Sequence, residues 1–199
     1  TQDESYYILD CEENTKVYLG LKEGIDKNEM LKELKEAQDG KIVFNADKYV
    51  NSWPVKKHDH YLIPAGTIHC SGKNTMVLEI SATPYIFTFK LWDWGRVGLD
   101  GLPRPVHINH GEQVIQWDRT TLWVKENLLN RITTIWDDGE NKIEKTGLHE
   151  REFIETRRYT IQNKITLQSE GSVSSCNVVD GEGAVIESTD GSFEPFEVH

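Results

Sequence analysis

At 199 residues, with 37% hydrophobic content and 6 Trp, 7 Tyr and 6 Phe as bulky core material, the chain can bury a sizeable core, as one large β domain or two smaller ones. A formal net charge of −11 disfavours nucleic acid and anionic membranes, both polyanions, and admits an anionic substrate only where positive charge is gathered locally. No apolar run approaches the roughly 20 residues of a membrane span, and Cys11, Cys70 and Cys176, odd in number and widely spaced, argue against a disulfide framework or cysteine zinc site and for a reducing, cytoplasmic setting.

In chain order, residues 5–10 and 15–21 are rich in β-branched and aromatic residues and predict two strands joined by a turn at Glu12-Glu13-Asn14. Residues 26–38 predict a helix. Asp26 and Glu29 have capping-box spacing, Met30, Leu31, Leu34 and Ala37 form one apolar stripe, and Gly40 ends it. A shorter helical turn is expected over 46–52, with Asn45 as cap and Pro54 as stop.

Strands are expected to resume near Tyr61 and to run through Ile80 and from Tyr85 to Trp94. A Gly/Pro-rich connector over 95–105 then marks a boundary between two units, or a long loop within one. Beyond it the spacing predicts short strands over 113–117, 121–125, 131–136, 152–161, 164–168, 173–179 and 183–187. Such spacing indicates a sandwich or barrel rather than a parallel α/β sheet. Fewer strands are counted in the second unit than the eight of a closed jelly roll, so it reads as incomplete.

The chemistry-bearing stretch runs from His58 to Arg96. A Pro64-Ala65-Gly66 turn fixes the chain direction and delivers His69 three residues after the glycine, either as a metal ligand or as a hydrogen-bonded histidine at a strand end. His58 and His60 form a His-x-His pair, but Lys56, Lys57 and Asp59 around it suggest a solvated turn. An iron site made of His58, His60 and His69 is the least favoured reading.

In Thr75–Ser81 the alternation puts Met76, Leu78 and Ile80 on one face and Val77, Glu79 and Ser81 on the other. Glu79 is therefore either a pocket carboxylate with a raised pKa, suited to general-base work, or part of a wet face. Lys90 shares a face with Thr88 and Trp92, and a Glu79–Lys90 pair across one cavity would satisfy both charges, structurally or catalytically. Arg96 and Arg104 flank the connector and are candidates to neutralise a phosphate. Glu4 precedes the first strand, and nothing local marks it out.

Taken in order, several blocks resemble the class I mannose-6-phosphate isomerases, the cupin-fold zinc aldose–ketose isomerases. They are Glu4-Ser5-Tyr6-Tyr7-Ile8-Leu9-Asp10, Tyr18-Leu19-Gly20-Leu21-Lys22-Glu23-Gly24, Pro64-Ala65-Gly66-Thr67-Ile68-His69, Leu78-Glu79-Ile80, and Gly101-Leu102-Pro103-Arg104-Pro105-Val106-His107-Ile108. The match spans most of residues 4–118. The second half is similar only around Arg158-Tyr159-Thr160 and from Val178 to Gly183.

The resemblance implies an all-β fold of tandem cupin-type jelly rolls with a helical insertion at about 26–52. Residues 1–105 would form the active-site domain and 106–199 a second, incomplete jelly roll. It implies interconversion of mannose 6-phosphate and fructose 6-phosphate through a metal-assisted cis-enediol, with a small phosphosugar as partner. Zinc would be held by the residues matching Glu4 and His69, Glu79 would be the base, and Lys90 would stand where the family has an arginine. That lysine keeps the charge and loses the planar fork.

The family's remaining zinc ligands, a histidine among them, match a segment that would precede Thr1. The resemblance therefore implies an incomplete zinc site and a fragment of a longer protein. A non-catalytic sugar-binding or regulatory cupin is the alternative expectation.

Overall fold

The computed structural model describes residues 2–82, 88–148, 150–169 and 171–199. Two three-stranded antiparallel sheets form the first unit. One has β1 (Asp3–Cys11) between β4 (His60–Ile63) and β6 (Thr75–Ala82). The other has β2 (Lys16–Leu21) between β3 (Val50–Pro54) and β5 (His69–Ser71). The non-sequential strand order within each sheet is that of a jelly roll, so the all-β, cupin-type architecture holds for the first unit. Pro54 ends β3 on a sheet edge, where its missing N–H costs no ladder bond.

Between β2 and β3 lie α1 (Lys27–Gln38) and α2 (Ala46–Tyr49). Asp26 caps α1, its carboxylate accepting from the Asn28 and Glu29 N–H groups at 2.8 and 3.2 Å. The Glu29 carboxylate pairs with Lys48 at 3.0 Å. Met30 and Leu34, four residues apart, are buried as the stripe predicts, among Tyr18, Leu21, Phe44, Tyr49, Val50, Ile108 and Ile115. The expected second helical turn is shorter than 46–52. After one turn the chain straightens at Val50 into β3, and Asn45 makes no side-chain cap.

A second apolar core lies between the sheets: Tyr6, Ile8, Val17, Leu19, Tyr61, Leu62, Ile63, Val124 and Leu128. Its last two members come from beyond the connector, Val124 on α4 (Thr121–Asn127), where a strand over 121–125 had been expected, and Leu128 at the helix C-cap. Leu122, Trp123 and Val124 suit a strand by intrinsic preference. Burial of Val124 and Leu128 at helical spacing overrides that preference. Residues 113–117 follow a one-turn helix, α3 (Ile108–Gly111), in turns rather than a strand. The segment after α4 then covers the outer edge of β4, with Leu62 N–H donating to Leu128 O at 2.9 Å and Asn130 N–H to His60 O at 2.8 Å.

Of the strand expected from Tyr85 to Trp94, residues 85–87 lie outside the described set. Residues 88–94 belong to no strand, and Trp94 turns the chain at φ 56°. Past α4, β7 (Thr133–Asp137), β8 (Lys142–Lys145) and β9 (Arg157–Thr160) form an antiparallel sheet, and β10 (Ala184–Ile186) pairs with β11 (Phe196–Val198). The strands expected over 164–168 and 173–179 are irregular chain.

Among the described residues, every fully buried apolar side chain lies between Tyr6 and Leu128. The C-terminal sheet is tied by charge instead. Buried Glu144 on β8 accepts from Lys142 at 2.5 Å and from Arg158 at 2.8 Å.

Candidate active site

Strand register brings the acidic groups together. Glu4 stands opposite Ser81, and Tyr6 opposite Glu79, so Glu4 and Glu79 are diagonal neighbours on one face of the β1–β6 pair. On the facing sheet, β5 begins at His69, opposite Leu19. The imidazole Nε2 meets Glu4 Oε1 at 2.8 Å, and Ser81 Oγ donates to Glu79 Oε1 at 2.7 Å. Gln2 reaches the same group, its amide 3.4 Å from Glu4 Oε2 and 3.2 Å from Ser81 Oγ.

The ring of His69 is fixed from behind by its own turn. Nδ1 lies 2.8 Å from the Thr67 carbonyl, which can only accept, so Nδ1 carries a proton. The 2.8 Å contact on the other side, between Nε2 and a carboxylate oxygen, then also requires a proton between them. Burial opposes charge on both partners, yet each holds the other charged. Glu4 lies below the usual carboxylate range because the His69 hydrogen bond and charge outweigh its burial. His69 lies above the usual imidazole range because Glu4, assisted by the Thr67 carbonyl and Glu79, outweighs its own burial.

Glu79 differs. Its side chain is open to solvent, but partial burial, reinforced by the neighbouring Glu4 charge, pushes its carboxyl up against the opposing Ser81 hydroxyl and His69 charge. Two adjacent carboxylates thus divide, one held ionised and one drawn toward its proton-bearing form.

These groups line a cavity of about 340 Å³, within the range of small-molecule sites. Lys90 lines it too, together with Tyr6, Tyr18, Trp92 and Trp94. Its main chain is held by His107, whose N–H donates to the Lys90 carbonyl at 2.7 Å. Its ammonium pairs with Asp93 at 3.7 Å, so the described partner of Lys90 is Asp93 rather than the Glu79 expected.

Asp93, buried, is also the partner of Arg96 at 3.8 Å and Arg104 at 3.1 Å. Three cations around one carboxylate leave a local surplus of positive charge at the cavity's edge, in a chain of net charge −11. Arg96 and Arg104 are not on the cavity wall itself. The structure does not gather His58 and His60 with His69. His60 is buried in β4, and His58 bonds Tyr7 Oη at 2.8 Å.

Sequence reading missed Asp93, Gln2 and the proton-bearing Glu4–His69 contact. For Asp93 a signal existed, since it sits three residues from both Lys90 and Arg96.

The donor chemistry of a carboxylate oxygen and an imidazole Nε2 with its Nδ1 held by a carbonyl suits zinc. The donor count does not. Glu4 and His69 close on each other, and among the described residues no group of three or more His, Cys, Asp or Glu side chains forms a metal-holding set. The residues present do not fit a complete zinc centre.

No protein-family model matches the chain. It is 22% identical over 183 residues to mannose-6-phosphate isomerase ManA of Bacillus subtilis, covering 92% of this chain and 52% of that protein. It is 30% identical over 112 residues to the probable mannose-6-phosphate isomerase GmuF of the same organism, covering 56% of this chain and 33% of that one. The crystal structure of the Bacillus subtilis mannose 6-phosphate isomerase superposes with a TM-score of 0.62 at 20% identity, over 81% of this chain and 46% of that one. The chain spans about half the length of the curated relatives that it matches over nine-tenths of its own. No helix among the described residues is long and apolar enough to cross a membrane.

Proposed function

We propose that this chain, a divergent and partial relative of the class I mannose-6-phosphate isomerases in sequence and in fold, carries the proton-transfer pocket of an aldose–ketose isomerase acting on mannose 6-phosphate and fructose 6-phosphate. The observation that carries this reading is the convergence of Glu4, His69, Glu79 and Lys90 on one cavity.

Glu79 takes the C2 proton of the aldose, leaving a cis-enediolate with its charge on O1; the O2 hydroxyl proton passes to O1 and the same carboxyl returns its proton to C1, which gives the ketose. A carboxyl whose pKa burial and the neighbouring Glu4 charge draw upward is a stronger base than an ordinary carboxylate, and so better suited to take a proton and give it back. Lys90 offsets the negative charge that develops on oxygen. The Glu4–His69 pair, fixed by the Thr67 carbonyl, orients the sugar hydroxyls. Arg96 and Arg104, held by Asp93, seat the phosphate. Zinc enters no step, because the donors present do not make a complete centre.

The test is the aldose–ketose interconversion assay with Glu79→Gln. A fall in kcat of about 10²–10⁴-fold is expected for loss of a general base, and near-parent turnover removes Glu79 from that role. A second reading, a sugar-phosphate-binding module without turnover, is favoured by the absence of a three-donor metal set among the described residues. Calorimetric titration with mannose 6-phosphate, with and without added zinc, separates the two. Binding without turnover under both conditions supports the module.

A further inference from the structure

Arg119 lies outside every motif in the sequence, fifty residues beyond His69, yet its guanidinium is aimed into the corner that delivers that histidine. Nη1 donates to the Pro64 carbonyl at 2.7 Å and to the Ala65 carbonyl at 2.8 Å, and it also contacts the Thr67 hydroxyl. The carboxylates that act on it, Asp118 and Asp3, do so at a distance and not through an ion pair among the described residues. The planar group is steadied instead over the Trp123 ring, 5.3 Å from its centroid. A half-buried cation whose hydrogen bonds all go to one turn is spending its charge on that turn.

We propose that Arg119 is a positioning residue for the pocket. Thr67 itself closes the corner, its N–H and hydroxyl donating to the Pro64 carbonyl at 3.1 and 2.6 Å; by bracing that closed corner from outside, Arg119 sets the Thr67 carbonyl that fixes the His69 ring and thereby the direction in which Nε2 faces Glu4. The inference rests on the proposed function only for its catalytic consequence; the geometry is independent of turnover.

Main-chain bonds spare the fold from depending on this side chain. Gln116 N–H donates to Gly66 O at 2.9 Å, and the Arg119 carbonyl accepts from Leu21 N–H at 3.0 Å, whatever side chain stands at 119. An Arg119→Ala chain therefore keeps its topology while the corner loses its three side-chain contacts. Arg119→Lys keeps the charge, but its ammonium stands on a shorter, unbranched stem and loses the planar face that is steadied over the Trp123 ring.

The experiment is nitrogen-15 NMR of the histidine side chains in the full chain at one fixed pH, with His69 assigned by the loss of its signals in His69→Gln. In Arg119→Ala the His69 Nδ1 proton is expected to exchange with solvent about tenfold faster or more, as for the loss of a charge-assisted hydrogen-bond framework. Arg119→Lys should lie between that and the parent. Exchange and ring shifts identical to the parent in both variants overturn the proposal. If Arg119→Ala fails to fold, as judged by circular dichroism, Arg119→Lys alone decides: a parent-like His69 signal refutes the proposal and a faster-exchanging one supports it. A parent chain without turnover would overturn the isomerase reading and leave this readout intact.

Discussion

Replacing Gly66 with alanine puts a methyl group where the corner before His69 has no room. Gly66 sits at φ 86°, and an added Cβ would lie 2.5 Å from the Val114 carbonyl oxygen and 2.9 Å from Gln116 Cγ. Two penalties add. Left-handed backbone costs an L-residue about 1–2 kcal/mol, and forcing a methyl into a closed site costs about 1–3 kcal/mol more.

Gly24→Ala isolates the first penalty, because Gly24 has φ 68° and nothing within 4 Å of its added Cβ. Both changes stiffen the unfolded chain alike, so that effect cancels between them. At about 2–4 °C per kcal/mol for a chain of this size, Gly66→Ala should melt about 2–12 °C below Gly24→Ala. Differential scanning calorimetry on the two variants measures this directly. Melting points within about 1 °C of each other would mean that the carbonyl of Val114 yields freely and the corner is not clamped.

Glu144 makes the C-terminal sheet sensitive to acid. Burial works against its charge, but Lys142 and Arg158 hold its carboxyl below the usual range, so its contribution is complete above the ordinary carboxylate pKa and fades as pH falls through the lower folded value. Glu144→Gln should destabilise the sheet by about 1–3 kcal/mol at pH 7, less than for a fully buried pair because the Lys142 side chain is 37% exposed. The gap between parent and variant should shrink at pH 3, and one that widened there would reverse the assigned sign. Cys70, whose thiol burial pushes up to about 11, should carry about a hundredfold less thiolate at pH 8 than an ordinary cysteine, and exposed Cys176 should be alkylated faster by at least that factor. Comparable labelling of the two, read by mass spectrometry, would contradict the burial.

What the sequence disclosed was local. The α1 cap and stripe depend on residues within one or two turns of each other, and Asp26, Met30 and Leu34 behave as their spacing demands. The Pro-x-Gly corner and the face shared by Glu79 and Ser81 were equally legible, since turn chemistry and strand alternation are short-range. The helix carrying Val124 was not. Its residues prefer strands, and only the core already built by Ile8, Leu19 and Ile63 makes the helix the better solution. In the site, Glu4 had no local signature, because its meaning comes from His69, sixty-five residues away. The approach of Arg104 to Asp93 was hidden for a related reason: the connector had to fold back to bring it within 3.1 Å, whereas Lys90 and Arg96 each stand three residues from Asp93 in the chain.

A chain emerging from the ribosome makes the Pro64–Thr67 corner long before its last fastening exists. The carbonyl of Pro64 accepts from the Thr67 N–H and hydroxyl at once, but its bond from Arg119 needs a donor 55 residues downstream, an interval of about 3–11 s at ordinary elongation rates of about 5–20 residues per second. During that delay Ile8, Leu19 and Ile63 have no Val124 or Leu128 to cover them, and the nascent sheets show wet apolar faces. The pocket is thus among the last parts of the first unit to mature during synthesis, and a pause in translation before Arg119 would hold a sticky, half-covered sandwich at the exit tunnel.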